Sequence, residues 1–220
     1  QEKPHIRMTR RVIAPERLSF VNVVTSTHNH TDHLDAETLG PLAAANAGLM
    51  LVLPEPNVEF ARARLGNAMP TPVPMVVGRR EPVAGFDVTA VPAAHDQPAT
   101  DEQGRHVYLG YVVRVGPWTL YHSGDTVVYE GMADLLRPHR IDVAILPING
   151  KVGNMGGRDA ARLAHDIGAK LVVPCHFEMF AFNTADPSDV FVPECERLGQ
   201  PHRVLRAGER LTLHAAEASS

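Results

Sequence analysis

Apolar positions fall into short runs separated by turn residues. Residues 18–26 (LSFVNVVTS) are apolar and β-branched and predict a buried strand. Residues 35–46 have helical spacing, with Asp35 placed to cap the helix and Pro41 as a disturbance within it. A second strand is expected over residues 48–53 and a second helix over 57–65. Residues 70–92 are rich in proline and valine, a composition suited to short edge strands and turns. Two longer strands follow, over residues 106–115 and Trp118–His122, parted by the turn Gly116-Pro117.

The later chain alternates. A helix over 127–136 precedes a strand over 141–147, and a helix over 158–167 precedes a strand over 170–174. A last helix over 187–198 leads to short strands at Val204 and Leu211. Hairpin-like strands in the middle and strand–helix alternation afterwards indicate a layered α/β or α+β fold. With no repeat, low-complexity tract or long linker, residues 1–220 are expected to form a single domain.

Composition narrows the function classes. The chain has 220 residues, of which 44% are hydrophobic, enough for a sizeable core. A formal net charge of −4 fits neither a disordered chain nor a general nucleic-acid binder with a strongly basic face. No apolar run approaches the ~18 residues of a membrane span. Two cysteines, Cys175 and Cys195, without a secretory segment point to a reducing, cytoplasmic setting. The expected partner is a small molecule rather than nucleic acid or membrane, and a homo-oligomer is compatible with this composition.

Histidine is the outlier, with 12 residues, and it clusters. Thr27-His28-Asn29-His30-Thr31-Asp32-His33 follows a predicted strand. In extended backbone His28 and His30 point to one side, and Asp32 and His33 fall in the turn beyond. Three imidazoles and a carboxylate in six residues exceed what one metal needs from one segment. His95, Asp125 and His176 each follow a predicted strand, where loops can converge in a crevice. Singly, each is better explained as an ordinary surface or hydrogen-bonded residue; together with the first cluster the set of five histidines and two aspartates suffices for a dinuclear site with open positions. Imidazole and carboxylate donors suit zinc, manganese or iron, with zinc or manganese expected here. His122 is placed to orient Asp125 or meet a substrate anion, and Asn149 and Lys151 lie on a loop after a strand, where the ammonium could meet a phosphate. A solvated surface lysine is the simpler account of Lys151. Gly153-Asn154-Met155-Gly156-Gly157 lacks the Lys-Ser/Thr pair of a P-loop.

The run T-H-N-H-T-D-H, with A-A-H, Y-H-S-G-D-T and P-C-H, resembles the metallo-β-lactamase superfamily of metal-dependent hydrolases. L-P-I-N-G at 146–150 and H-F-E-M-F-A-F-N-T-A-D-P at 176–187 are similar to the branch containing L-ascorbate-6-phosphate lactonase. The resemblance spans residues 14–213. It implies a four-layer αββα sandwich and two divalent cations. His28, His30 and His95 would hold one cation, Asp32, His33 and His176 the other, and Asp125 would bridge them. The implied reaction is hydrolysis of a phosphorylated sugar lactone by a metal-activated water, with Asp32 as a catalytic proton relay. A phosphodiesterase of the same fold is the alternative enzyme, and a non-catalytic metal-binding regulatory protein the alternative of another class. Superfamily members carry further strands before the ligand motif, with a bracing aspartate on one of them. No aspartate precedes Asp32 here, so the chain is expected to lack the first strands of the sandwich, leaving a sheet edge open near residues 18–26.

Overall fold

The computed structural model describes residues 6–214. In chain order the elements are β1 (Val23–Thr25), α1 (Ala36–Ala45), β2 (Met50–Pro54), α2 (Val58–Leu65), β3 (Thr71–Met75), β4 (Arg80–Val83) and β5 (Phe86–Pro92). A two-residue pair, β6 (Ala94–His95) and β7 (Gln97–Pro98), comes next. Then follow β8 (Leu109–Val115), β9 (Trp118–His122), α3 (Met132–Leu136), β10 (Val143–Pro147), α4 (Gly157–Asp166), β11 (Leu171–Cys175) and α5 (Phe191–Leu198).

Two sheets face each other. The first is parallel, in the order β1-β2-β3; the second has six strands, in the order β11-β10-β9-β8-β5-β4. Alternation along each strand sorts its side chains between layers. Leu51 and Leu53 of β2 pack with Leu39, Ala61 and Leu65 of α1 and α2 on the outer face. Val52 between them turns inward and meets Val73, Met75, Val88, Ala90, Leu109 and Tyr111 in the core between the sheets. Val112 and Tyr121 turn to the opposite face of the second sheet and pack under α3, α4 and α5 with Met132, Ala160 and Phe191. Three apolar clusters separating four layers make the αββα metallo-β-lactamase sandwich.

The sequence reading holds for most elements, with tighter ends. Asp35 caps α1, its carboxylate accepting from the Glu37 amide at 3.1 Å, and Pro41 is accommodated inside the helix. The first expected strand contracts to β1, an edge of its sheet, while residues before it run irregularly with Phe20 exposed. The proline-rich stretch supplies the two edges β3 and β4, whereas β5 sits inside the six-stranded sheet. Two expectations need correction. The helix expected over 127–136 is only α3, because residues 127–130 are drawn into the loop beside Ala94. The strands expected at Val204 and Leu211 do not form; Val172 donates to the Pro201 carbonyl and Arg203 to that of Val172, after which the chain turns away.

Candidate functional site

Strand direction gathers the site. β9, β10 and β11 are mutually parallel, and β8 is antiparallel to both β5 and β9, so β5, β9, β10 and β11 all end at one rim. His95, Asp125, Asn149 and His176 lie just past those ends, and Tyr108 precedes β8, which starts at the same rim. The first sheet contributes the loop after β1. That loop is fastened by the Arg64 guanidinium of α2, which donates to the carbonyls of Asn29 at 2.7 Å and Leu34 at 3.2 Å.

Asp32, His33, Asp125 and His176 bring one donor atom each to within 4.8 Å of one another. The two Asp125 oxygens face different imidazoles, His33 Nε2 at 3.1 Å and His176 Nε2 at 3.4 Å. Asp32 Oδ2 lies 3.6 Å from His33 Nε2 and 3.7 Å from His176 Nε2. The other three histidines adjoin this group. His28 has its ring centre 4.4 Å from that of His30, 5.9 Å from that of His95 and 4.1 Å from that of His33, and His30 and His95 are 4.9 Å apart. His176 adopts φ 60°, a left-handed backbone costly for a side-chain-bearing residue, which aims its ring back over the rim.

The electrostatics favour cations. Burial, reinforced by His33, lowers the His28 pKa to about 3, and burial with His95 lowers that of His30, so both rings are neutral with lone pairs available. Burial works against ionising Asp32, yet His176 and then His33 bring its pKa down to about 2. Asp125 is likewise held well below the usual carboxylate range, the contacts from His176 and His33 outweighing its burial. His176 is pushed up to about 10, because the carboxylates of Asp125 and Asp32 override the burial that would keep it neutral. Buried His28 Nε2 and His95 Nε2 have no hydrogen-bond partner. Two orphaned imidazole nitrogens beside two ionised carboxylates are a donor set suited to divalent metal. Cys175, beside His176, has a thiol raised to about 12 by burial and then by Asp125, which leaves it a packing residue.

The other expected site residues lie behind this group. His122 accepts from the Gly124 amide through Nδ1 at 3.0 Å, and burial lowers its pKa to about 4. Asn149 donates to Asn183 Oδ1 at 2.7 Å, and Lys151 donates to the Thr184 carbonyl at 3.2 Å. None of the three lines the cleft in front of the histidines. That cleft, about 630 Å³, is bounded by His30, Asp32, His33, His95 and Asp125 on its floor. Its wall includes Arg7, Val152, Met179, Phe180, Phe182 and Asn183, with the Phe180 and Phe182 rings stacked 5.8 Å apart. Arg7 reaches the wall through an antiparallel bridge to Phe180, supported by the Met8 amide donating to the Met179 carbonyl at 2.8 Å.

Several contributors carried no signal in the sequence. Tyr108 stacks on His95 at 5.3 Å and 18°, and Gly153 also abuts that histidine, where a Cβ would lie 2.4 Å from Nδ1. Thr27 was visible only as a neighbour of the histidines, although its hydroxyl touches two of them.

A four-layer sandwich with a His/Asp-lined cleft at one rim is the arrangement of a metallo-β-lactamase-fold hydrolase. Residues 3–177 match the model of the beta-lactamase superfamily domain, and the chain belongs to that family, among its metal-dependent hydrolases. A UPF0173 metal-dependent hydrolase of Azorhizobium caulinodans is 33% identical over 174 residues, 76% of this chain and 72% of that protein. Another from Anoxybacillus flavithermus is 33% identical over 199 residues, 88% of this chain and 82% of that protein. Among solved structures, a metallo hydrolase from the hyperthermophilic archaeon Ignicoccus hospitalis superposes with a TM-score of 0.71 and 25% identity, covering 89% of this chain and 80% of that one. No helix among the described residues is long and apolar enough to cross a membrane.

Proposed function

We propose that the chain is a lactonase that opens a phosphorylated sugar lactone, of the kind represented by L-ascorbate 6-phosphate, at a centre of two divalent cations, zinc or manganese. The observation that carries the reading is that His30, His95 and three of the four clustered donors, Asp32, His33 and Asp125, line one cleft, with His28 and His176 in contact with them from beside it. His28, His30 and His95 would hold one cation, Asp32, His33 and His176 the other, with Asp125 between them. Bound there, the cations supply Lewis acidity and lower the pKa of water toward neutrality.

The chain's own residues do the rest. Asp32 is the most exposed of the four clustered side chains, at 44% against 7% for Asp125, so it is the one placed to take a proton and return it to the departing oxygen. Arg7 on the cleft wall is assigned the phosphate, ahead of Lys151, whose ammonium is engaged by the Thr184 carbonyl outside the cleft. The stacked Phe180 and Phe182 offer an apolar face to the sugar ring. His122 and Asn149 act from behind, through Gly124 and Asn183.

One sample loaded with zinc or manganese should open the phosphorylated lactone and leave phosphodiesters intact. Arg7→Ala should raise KM for the phosphorylated lactone about tenfold without changing KM for its unphosphorylated counterpart. Phosphodiester cleavage with no lactone opening would replace this reading with the phosphodiesterase, and silence across lactones, esters and phosphodiesters with a non-catalytic metal-binding protein.

Cation uptake gives an independent check with a definite sign. His176, with its pKa near 10, is protonated in the metal-free protein at about pH 8, and a cation must displace that proton. Affinity should therefore rise with pH up to about 10 and level off above it. Calorimetry in buffers of different ionisation enthalpy should show at least one proton released per protein. Equal heats in all buffers would remove His176 from the centre.

A further inference from the structure

Thr27 is buried, and its Oγ1 lies 3.0 Å from His28 Nδ1 and 3.0 Å from His33 Nδ1. We propose that this hydroxyl is a positioning residue that couples the two cation positions, by setting the tautomer and orientation of one imidazole in each. The inference rests on reading His28 and His33 as ligands of different cations.

The scaffold leaves the hydroxyl little freedom. The Leu109 amide donates to the Thr27 carbonyl at 3.0 Å, and the Tyr111 hydroxyl donates to the Ser26 carbonyl at 2.8 Å. Gly124, at φ +64°, lies so close that a Cβ there would come within 2.7 Å of Thr27 Cβ. The turn bearing Asp125 and the loop bearing His28 and His33 are therefore packed together through this one side chain.

A threonine hydroxyl has one hydrogen and two lone pairs, so it cannot donate to both rings at once. In the metal-free protein His33 Nε2 faces the ionised Asp125 carboxylate at 3.1 Å and must carry a hydrogen. With its ring hydrogen on Nε2, His33 offers a bare Nδ1 at 3.0 Å, which takes the Thr27 hydrogen. Thr27 Oγ1 in turn accepts from His28 Nδ1–H, leaving His28 Nε2 bare, and that atom is one of the buried nitrogens with no partner. Every hydrogen is placed, and the remaining lone pair belongs to the first cation position.

Cation binding at His33 requires its Nε2 lone pair, which moves the ring hydrogen to Nδ1. Both rings then donate to Thr27 Oγ1, filling both of its lone pairs, and the hydroxyl hydrogen turns away. Filling one position thus alters a hydrogen bond to the ligand of the other, which makes the two uptake events interdependent.

The test uses the full chain with ¹⁵N-labelled histidine and zinc chloride as the probe. Metal-free protein should show His28 protonated at Nδ1 and His33 at Nε2, and zinc should move the His33 hydrogen to Nδ1. Thr27→Val keeps the shape and removes the hydroxyl. It should abolish the paired tautomers, weaken zinc binding about 10–100-fold and make the two uptake steps independent. Thr27→Ser should restore all three. Metal-free wild-type protein with both rings protonated at Nε2 would overturn the proposal without any variant. A folded Thr27→Val protein with wild-type tautomers and zinc isotherm would overturn it as well. Intact tautomers and coupled zinc uptake in a protein that turns over no substrate would support the coupling while removing the hydrolase reading.

Discussion

Asp125→Ala is expected to lose turnover by more than the ~10–100-fold that an outer hydrogen-bonding partner costs, and to lose cation from the His33 side first. Among the described residues its carboxylate is the only group with an oxygen on each of His33 Nε2 and His176 Nε2 at 3.4 Å or less, so alanine would leave the proposed second position with Asp32, His33 and His176 alone. Breaking a buried ion pair commonly costs ~3–5 kcal/mol because a charge is stranded. Here the cost should be smaller, because the proton on His176 is there on account of these carboxylates and leaves when one of them is removed. The backbone of the turn has its own anchors, with the Ser123 amide on the Ile145 carbonyl and the Thr126 amide on Asn154 Oδ1. Thermal melting of metal-free protein should therefore change little while metal content by elemental analysis and kcat both fall. Full cation occupancy with normal kcat would exclude Asp125 as a bridge.

Gly153→Ala should be nearly as damaging, although the residue bears no functional group. Gly153 has φ +74°, and a methyl there would sit 2.4 Å from His95 Nδ1 and 2.5 Å from Cγ. Tyr108, stacked on His95 at 18°, limits how the ring can yield. The ring must swing out of the site, and cation should be lost from the His28, His30 and His95 side. A left-handed backbone alone costs a non-glycine residue ~1–2 kcal/mol. Gly48→Ala isolates that cost: its φ is +81° and nothing lies within 4 Å of the added methyl. Both variants should melt lower, and only Gly153→Ala should bind less zinc by chelator competition. Matching zinc affinities in the two would show that the loop over His95 is not a positioning element.

The contrast between these residues shows what the sequence could disclose. His28, His30, Asp32 and His33 are legible because one loop carries them, and local backbone geometry alone orients them. Trp118–His122 was read with its observed limits because a Gly-Pro turn sits before it and a glycine turn after it. Gly153 and Tyr108 meet His95 only after β5, β8 and β10 have aligned at one rim, and no local pattern announces that. Arg7 was hidden for the same reason: its place on the wall depends on pairing with Phe180, far along the chain. The missing strands at Val204 and Leu211 err in the opposite direction. Both residues are locally compatible with extended structure, but only residues 201–203 exchange backbone hydrogen bonds with Val172.

On the function proposed above, the pairing of residues 7–8 with 179–180 would separate selectivity from chemistry. Among the described residues, the backbone contacts of that seam run between residues 7–8 and 179–180, outside the group of Asp32, His33, Asp125 and His176. Substitutions at Arg7, Met179 or Phe180 can reshape what the cleft admits while the rim beneath keeps its geometry. On the function proposed above, the same chemistry would pass from one substrate to another by small changes in this two-segment clasp, with the His/Asp floor as a fixed socket and the clasp as an interchangeable adaptor.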